Sequence, residues 1–370
     1  MSLAAESLVK KLVVIATLAG LGSALAFLLV ACGGADATAK PRAAVWQALP
    51  APPAHLKSAR LAGLESVWTG KELIVVGVRP GPDGTFIKST NVAAAYDPAK
   101  RSWRRLPGAP KMDNYCRRDA AWAGKELLLW GCGQAAFNPS ANAWLMLPKA
   151  PAGEGFAAWT GRELIGWGGG CCGDAWDGGS AYDPAANSWR TLSRSPLAPS
   201  QGPIGAWTGH ELLLVVSGRS PEDKPYPTRL ARTAAYDPAT DTWTRLAAPP
   251  ADALRSGGRA AWDGRELIVI GNRSARSHVA LAYDRATNRW RRLARPPQGL
   301  TPESAFWTGR RLLVLGAGES LRAFSYDPRA DRWTALPPVP VRGSDQTAAW
   351  TGRQLIVLSS VDGAAFTPQG

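Results

Sequence analysis

Histidine is almost absent: His55, His210 and His278 are the only three in 370 residues. They are scattered, and no Cys-x-x-Cys pair accompanies them, so the ligand spacing of a zinc site is missing. No phosphate-cradling loop, nucleophile elbow or zincin helix motif occurs either. After the first thirty residues no stretch keeps a 3.6-residue apolar period, which argues against a helical fold. Acidic residues are outnumbered, 29 against 43 Lys and Arg, for a net charge of +14. The cations do not cluster among exposed aromatics, so nucleic acid is not an expected partner.

Tryptophan is plentiful and regular. Trp68, Trp122, Trp159, Trp207, Trp262, Trp307 and Trp350 each open a W-[TDA]-G-[KRH]-[ERQ]-L pattern that runs into an apolar stretch. A second series, Trp46, Trp103, Trp144, Trp189, Trp243, Trp290 and Trp333, reads W-x-x-L. A third marker lies between them: Tyr96, Phe137, Tyr182, Tyr236, Tyr283, Tyr326 and Phe366. Seven units spaced about 47 residues apart fall in the range of propeller repeats. Each unit reads as four short strands, A to D. In the first, Ser66-Val67-Trp68 is followed by a turn at Thr69-Gly70-Lys71 and an apolar run from Glu72 to Gly77. Ala93 to Tyr96, a turn opened by Asp97-Pro98, and Trp103 to Leu106 complete it. Such units bury both faces only against neighbours. The expected fold is all-β: a seven-bladed β-propeller with four antiparallel strands per blade. The last unit lacks strand D, and Trp46-Gln47-Ala48-Leu49-Pro50 is a strand D with nothing before it. That N-terminal strand is expected to complete the C-terminal blade and leave no open edge.

An apolar strand ending in Gly, then a Tyr, then a Trp resembles the kelch repeat over roughly residues 44–370. The Gly-Gly pair of that repeat stands only at Gly168-Gly169; elsewhere the second Gly is replaced, as in Gly77-Val78 and Gly131-Cys132. The chain is therefore similar to a divergent bacterial kelch propeller. The galactose oxidase relatives bind copper through two His and two Tyr, one Tyr bonded to a Cys, and the three histidines here do not fit that set. The resemblance also extends to a sialic-acid mutarotase, which would need an acid or base beside an Arg. Glu65, Asp119, Glu303 and Arg259 could imitate it.

Residues 1–31 read as a leader. Lys10 and Lys11 precede an apolar stretch from Leu12 to Val30, and Leu29-Val30-Ala31-Cys32-Gly33 matches a bacterial lipobox. Its length, about 19 residues, would also span a bilayer as a plain anchor. The preferred division is a lipoprotein signal peptide (1–31), a lipidated Cys32 with a polar tether (32–43) and the propeller (44–370). Export would make disulfides accessible to Cys116, Cys132, Cys171 and Cys172. Strand order places these four on one face of two adjacent units, with three pairings open; zinc and free thiols are the alternatives. Of the excess cations, Arg104, Arg105, Arg190, Arg245, Arg291 and Arg292 follow the strand D tryptophans. They are expected on a solvated outer rim, with contact to anionic lipid or polyanion as the sharper alternative.

Loop-bearing faces near the central channel are where propellers hold ligands. The residues before each strand A tryptophan should ring that channel. The candidates are Glu65, Tyr115, Arg117, Arg118, Asp119, Arg259, Glu303, Arg342 and Asp345, with Arg255 nearby and Trp176 as a stacking platform. The Asp of each Y-D-P turn is read as a backbone cap. Asp237 and Asp241 lack the Gly and Glu of a calcium loop. The expected function is an exported, membrane-anchored monomer, periplasmic or cell-surface, without a cofactor, that binds a protein or an envelope glycan. The alternative is a sugar epimerase or mutarotase using the funnel carboxylates.

Overall fold

The computed structural model describes residues 45–57, 61–84, 88–112, 118–131, 133–170, 173–217, 230, 232–251, 253–274, 277–298, 300–317, 320–343 and 345–369. The leader, the tether with Cys32, and Tyr115, Cys116, Arg117, Cys132, Cys171 and Cys172 lie outside the described residues. Residues Ala44–Gly370 make one compact unit. Its 28 described strands, β1–β28 in chain order, form seven four-stranded antiparallel sheets. Six blades are consecutive runs of four strands. The seventh is β26 (Thr347–Trp350), β27 (Leu355–Leu358), β28 (Gly363–Phe366) and, on its outer edge, β1 (Trp46–Ala48). β1 pairs with β28 in the register Trp46↔Phe366, Gln47↔Ala365 and Ala48↔Ala364. The N-terminal strand therefore closes the ring, as the split repeat predicts.

The strand B runs are apolar without alternation because both of their faces are buried. In β3 (Leu73–Arg79), Leu73 and Val75 pack against blade 7, while Ile74 and Val76 pack against blade 2. Each of the other blade interfaces has its own core of the same kind. In six of the seven blades the turn after the strand A tryptophan is built by the Thr or Asp that follows it, Ala123 of blade 2 being the exception. Thr69 Oγ1 accepts from the backbone N–H groups of Lys71 and Glu72, and Gly70 takes a φ of +92° that a side chain would resist. At the far end of strand B the glycine answers crowding: a Cβ on Gly271 would lie 1.9 Å from Leu254 Cδ2.

The W-x-x-L series locks blade to blade. Every one of its seven indoles donates a hydrogen bond to a backbone carbonyl just beyond strand D of the preceding blade. Trp103 reaches Pro50, Trp144 reaches Pro107 and Trp189 reaches Pro148. Trp243, Trp290 and Trp333 reach Ser193, Ala247 and Ala294, and Trp46 reaches Pro337 at 2.9 Å. Each indole also leans on the aromatic beside it in strand C, with ring centres 4.9–5.1 Å apart.

The Asp of Y-D-P caps its own turn: Asp97 Oδ1 accepts from the N–H groups of Ala99 and Lys100. Asp241 is an inter-blade clasp, taking Tyr236 Oη at 2.6 Å and the N–H of Ser193 from blade 3 at 3.0 Å. Arg104, Arg190 and Arg291 bond Glu72, Glu163 and Glu266 of their own blades at 2.6–2.7 Å, so these three are not free for an anionic surface. His278 sits within β20 (Ser277–Asp284), opposite Asn272, and not in a loop.

Candidate functional site

The A strands are innermost and touch their neighbours all the way round the axis. They are β2 (Ala62–Trp68), β6 (Arg118–Trp122), β10 (Phe156–Trp159), β14 (Ile204–Trp207), β18 (Ser256–Trp262), β22 (Thr301–Trp307) and β26. Where they enter, on the face of the D-to-A loops, lies a cavity of about 740 Å³ lined by all seven. One position sets its wall. The third residue before each strand A tryptophan lines it: Glu65, Asp119, Phe156, Ile204, Arg259, Ser304 and Thr347. Glu303 and Asp345 add two more carboxylates.

Three of these strands are irregular at the cavity. In β22 the pairing passes from Pro302↔Gly316 to Ser304↔Leu315, leaving Glu303 as the extra residue of a bulge. Bulges re-aim side chains beside sites, and this one brings a carboxylate into the wall out of turn. The register also shifts in β2 between Ala62 and Glu65 and in β18 between Ser256 and Gly258. The bulged strands are the ones that carry Glu65, Arg259 and Glu303.

Arg259 is anchored to the wall. Its Nε donates to the backbone carbonyl of Glu303, and Nη1 donates to that of Gly258 at 2.8 Å. Burial pushes the Glu303 carboxyl above its ordinary range, and the nearby Arg259 charge opposes this without cancelling it. Asp345, at the mouth with a φ of +54°, is also pushed up by desolvation. Ser66 and Thr347 join their hydroxyls at 2.8 Å across the seam between blades 1 and 7.

The structure brings together Glu65, Asp119, Arg259, Glu303 and Asp345 on the wall of one cavity. Arg342 is not on the wall; its Nε is held at 2.9 Å by Asp362 of the neighbouring hairpin, and its side chain is 82% exposed. Trp176 also stands off the cavity, half-exposed over Gly169, with its carbonyl accepting from the N–H of Ser200. Arg255 is tied to the loop side, its N–H bonding Asn272 and its carbonyl accepting from Ser217. Arg118 belongs to β6, opposite Gly131. Phe156, Ile204, Ser304, Thr347 and Phe306 were not expected, because a search for charge passes over them; counting back three from each tryptophan finds the first four.

A second hollow of about 630 Å³ lies at the opposite ends of the blades, between the turns of blades 3 and 4. Its main charges are already spent on one another. Arg190 holds Glu163 and Tyr236, and Glu211 holds Arg285. The axial cavity is the better candidate, since all seven A strands line it and it gathers four carboxylates and a guanidinium at one mouth.

The raised pKa of Glu303 fixes the sign of a pH effect. A carboxyl whose folded pKa exceeds its unfolded value contributes stability below about pH 4.5 that is lost as pH rises through the folded value. Glu303→Gln is therefore expected to melt slightly higher than the parent at pH 7. The difference should vanish at pH 4. Calorimetry at the two pH values checks this.

No protein-family model matches the chain, and no curated protein matches it. Solved structures do. The chain resembles YjhT at 13% identity, over 78% of this chain and 99% of that one, with a TM-score of 0.53. It resembles a fungal alcohol oxidase of the AA5 family, solved with copper, at 13% identity over 88% of this chain and 76% of that one, with a TM-score of 0.63. At such identities the likeness is one of fold. The three histidines of the chain lie apart: His55 bonds the carbonyl of Ala93, His210 sits in a turn of the far face, and His278 bonds Asn272. Among the described residues no three His, Cys, Asp or Glu side chains are grouped to hold a metal. The fold these structures share with the chain is the seven-bladed propeller.

Proposed function

We propose that the chain is a kelch-like propeller, exported and lipid-anchored through Cys32, that binds an envelope glycan in its axial cavity. Residues 1–31 would be the leader and residues 32–43 the tether. The observation that carries the binding role is the cavity wall. Its volume suits a small polar ligand and not a broad protein surface. Four carboxylates and a guanidinium offer hydrogen bonds to hydroxyl groups, and Phe156 and Phe306 offer apolar area to a sugar ring. Titration calorimetry on the detergent-solubilised full chain, against short oligosaccharides of glucose, amino sugars and uronic acids, tests it. Saturable binding weakened at least about tenfold by Asp119→Asn or Arg259→Ala is the expected result. Binding that survives both changes and is lost on the outer rim would overturn it in favour of a protein interface.

A second reading, a carbohydrate-modifying enzyme, is favoured by one observation: the desolvated Glu303 stands beside Arg259 in a cleft, the setting of a general acid. Accelerated anomer exchange of a reducing sugar, lost in Glu303→Gln while binding persists, would support it.

A further inference from the structure

The fourth residue after each strand A tryptophan closes the turn into strand B. It is glutamate in five blades: Glu72, Glu126, Glu163, Glu211 and Glu266. Four of the five hold an arginine. Arg104 reaches Glu72 at 2.7 Å, Arg190 reaches Glu163 at 2.6 Å and Arg291 reaches Glu266 at 2.6 Å, each from strand D of the same blade. Glu211 takes Arg285 of blade 5 at 2.5 Å. Glu126, in blade 2, has no such partner among the described residues, and burial alone pushes its carboxyl above the ordinary range. Glu72, bonded by Arg104, is lowered instead.

The difference lies in strand D. The residue after its tryptophan is Arg104, Arg190 or Arg291 in three blades, and Gln47, Thr244 or Thr334 in three others. In blade 2 it is Leu145, on β9 (Ala143–Met146), and its side chain stands 57% exposed. Met146 beside it is 47% exposed. The neighbouring blade still carries the rest of an arginine site. Arg190 also donates to Tyr236 of the next blade at 2.9 Å, and Tyr182 of blade 3 holds the matching place, within the field of Glu126. Tyr182 donates to Asn187 at 2.9 Å, as Tyr236 donates to Asp241 at 2.6 Å, so its oxygen can accept a further donor.

We propose that the seam between blades 2 and 3 receives an arginine of a partner protein, with its guanidinium on Glu126 and Tyr182 and an adjacent apolar side chain over Leu145. The sister seams show why arginine fits. Arg104 and Arg190 each bond their glutamate through both Nε and Nη2, and Arg190 keeps Nη1 for the tyrosine. A lysine is a single point charge and does not reproduce that fork. The A-to-B turns lie opposite the D-to-A loops, so this docking leaves the axial mouth open.

The test is titration calorimetry of the full chain in detergent, at low ionic strength. The probes are the N-acetylated, C-amidated peptide Ala-Leu-Arg-Leu-Ala and the same peptide with citrulline, which keeps the shape of arginine without its charge. The expected result is at least about fivefold tighter binding of the arginine peptide, close to 1 kcal/mol. Raising salt should shrink that preference. Glu126→Gln should abolish it. Leu145→Arg supplies a guanidinium from within the chain, so it should abolish peptide binding and raise the melting temperature. Arg353→Gln, exposed in the matching turn of blade 7, should change neither. Equal binding of the two peptides, or binding of neither, would overturn the proposal. So would an arginine preference that persists in Glu126→Gln, or a Leu145→Arg variant that melts below the parent. Self-association of the parent chain that disappears in Leu145→Arg would overturn the partner protein in favour of a second copy of this chain.

Discussion

Trp46→Ala should destabilise the propeller by about 3 kcal/mol, more than its half-buried position suggests. Replacing a buried tryptophan with alanine costs about 3–5 kcal/mol, and partial exposure would place Trp46 at or below the low end. Its role in closure keeps the cost near 3. The indole packs at 5.1 Å on Phe366 and donates to Pro337 of blade 6. The segment it anchors also serves blade 1. Pro50 accepts from Trp103 and Ala48 accepts from Arg101, both of blade 1, while Leu49 donates to Gly363 of blade 7 at 2.9 Å. Loosening this three-residue strand therefore loosens two blade contacts and bares the edge of β28. Denaturant unfolding should show a lower midpoint. Amide exchange should show loss of protection concentrated at Gly363–Phe366. Trp46→Phe, which keeps the ring contact and loses only the hydrogen bond, should cost about 1 kcal/mol. Equal costs for the two variants would mean that closure depends on the bond alone.

The closure was legible because Trp46 belongs to a series with six other members, and a repeat makes a missing or displaced strand conspicuous. The cavity was legible in part for the same reason. Glu65, Asp119 and Arg259 occupy one repeated position, and charge draws attention to it. Ser304 and Thr347 occupy that position too, yet as small hydroxyl residues they resemble ordinary strand surface. Glu303 entered the expectation by lying near a tryptophan; the bulge that brings it into the wall has no composition signal. Arg342 was misplaced for a related reason. Its partner Asp362 lies in a different hairpin, and that capture depends on how two loops meet, which a one-blade pattern does not encode. The rim arginines follow the same logic. Arg104, Arg190 and Arg291 find glutamates 25 to 32 residues away, a spacing that varies with loop length and so escapes any short-range rule.

The same limit explains Gly166. Strand B of the other blades is filled with Leu, Ile and Val, but β11 (Leu164–Trp167) carries a glycine in its middle. The cause is on the neighbouring blade. Trp130 is fully buried in blade 2, and a Cβ on Gly166 would lie 2.1 Å from its Cζ2 and 2.4 Å from the carbonyl oxygen of Gly153. The oversized ring and the absent side chain are a compensated pair, so Gly166→Ala should be costly although alanine normally suits a strand better than glycine. The expected loss is about 3 kcal/mol, the upper range for overpacking a dense core. Trp130→Leu alone should cost about 3 kcal/mol through the void it leaves, offset in part because the indole N–H has no partner among the described residues. The two changes share one volume and cannot add. With leucine at 130 the new methyl group keeps its contact with the Gly153 carbonyl but loses the indole, so Gly166→Ala should then cost about 1 kcal/mol. A double-mutant cycle by urea denaturation would measure that coupling of about 2 kcal/mol. Additive costs would show that the Gly153 backbone, and not Trp130, demands glycine at 166.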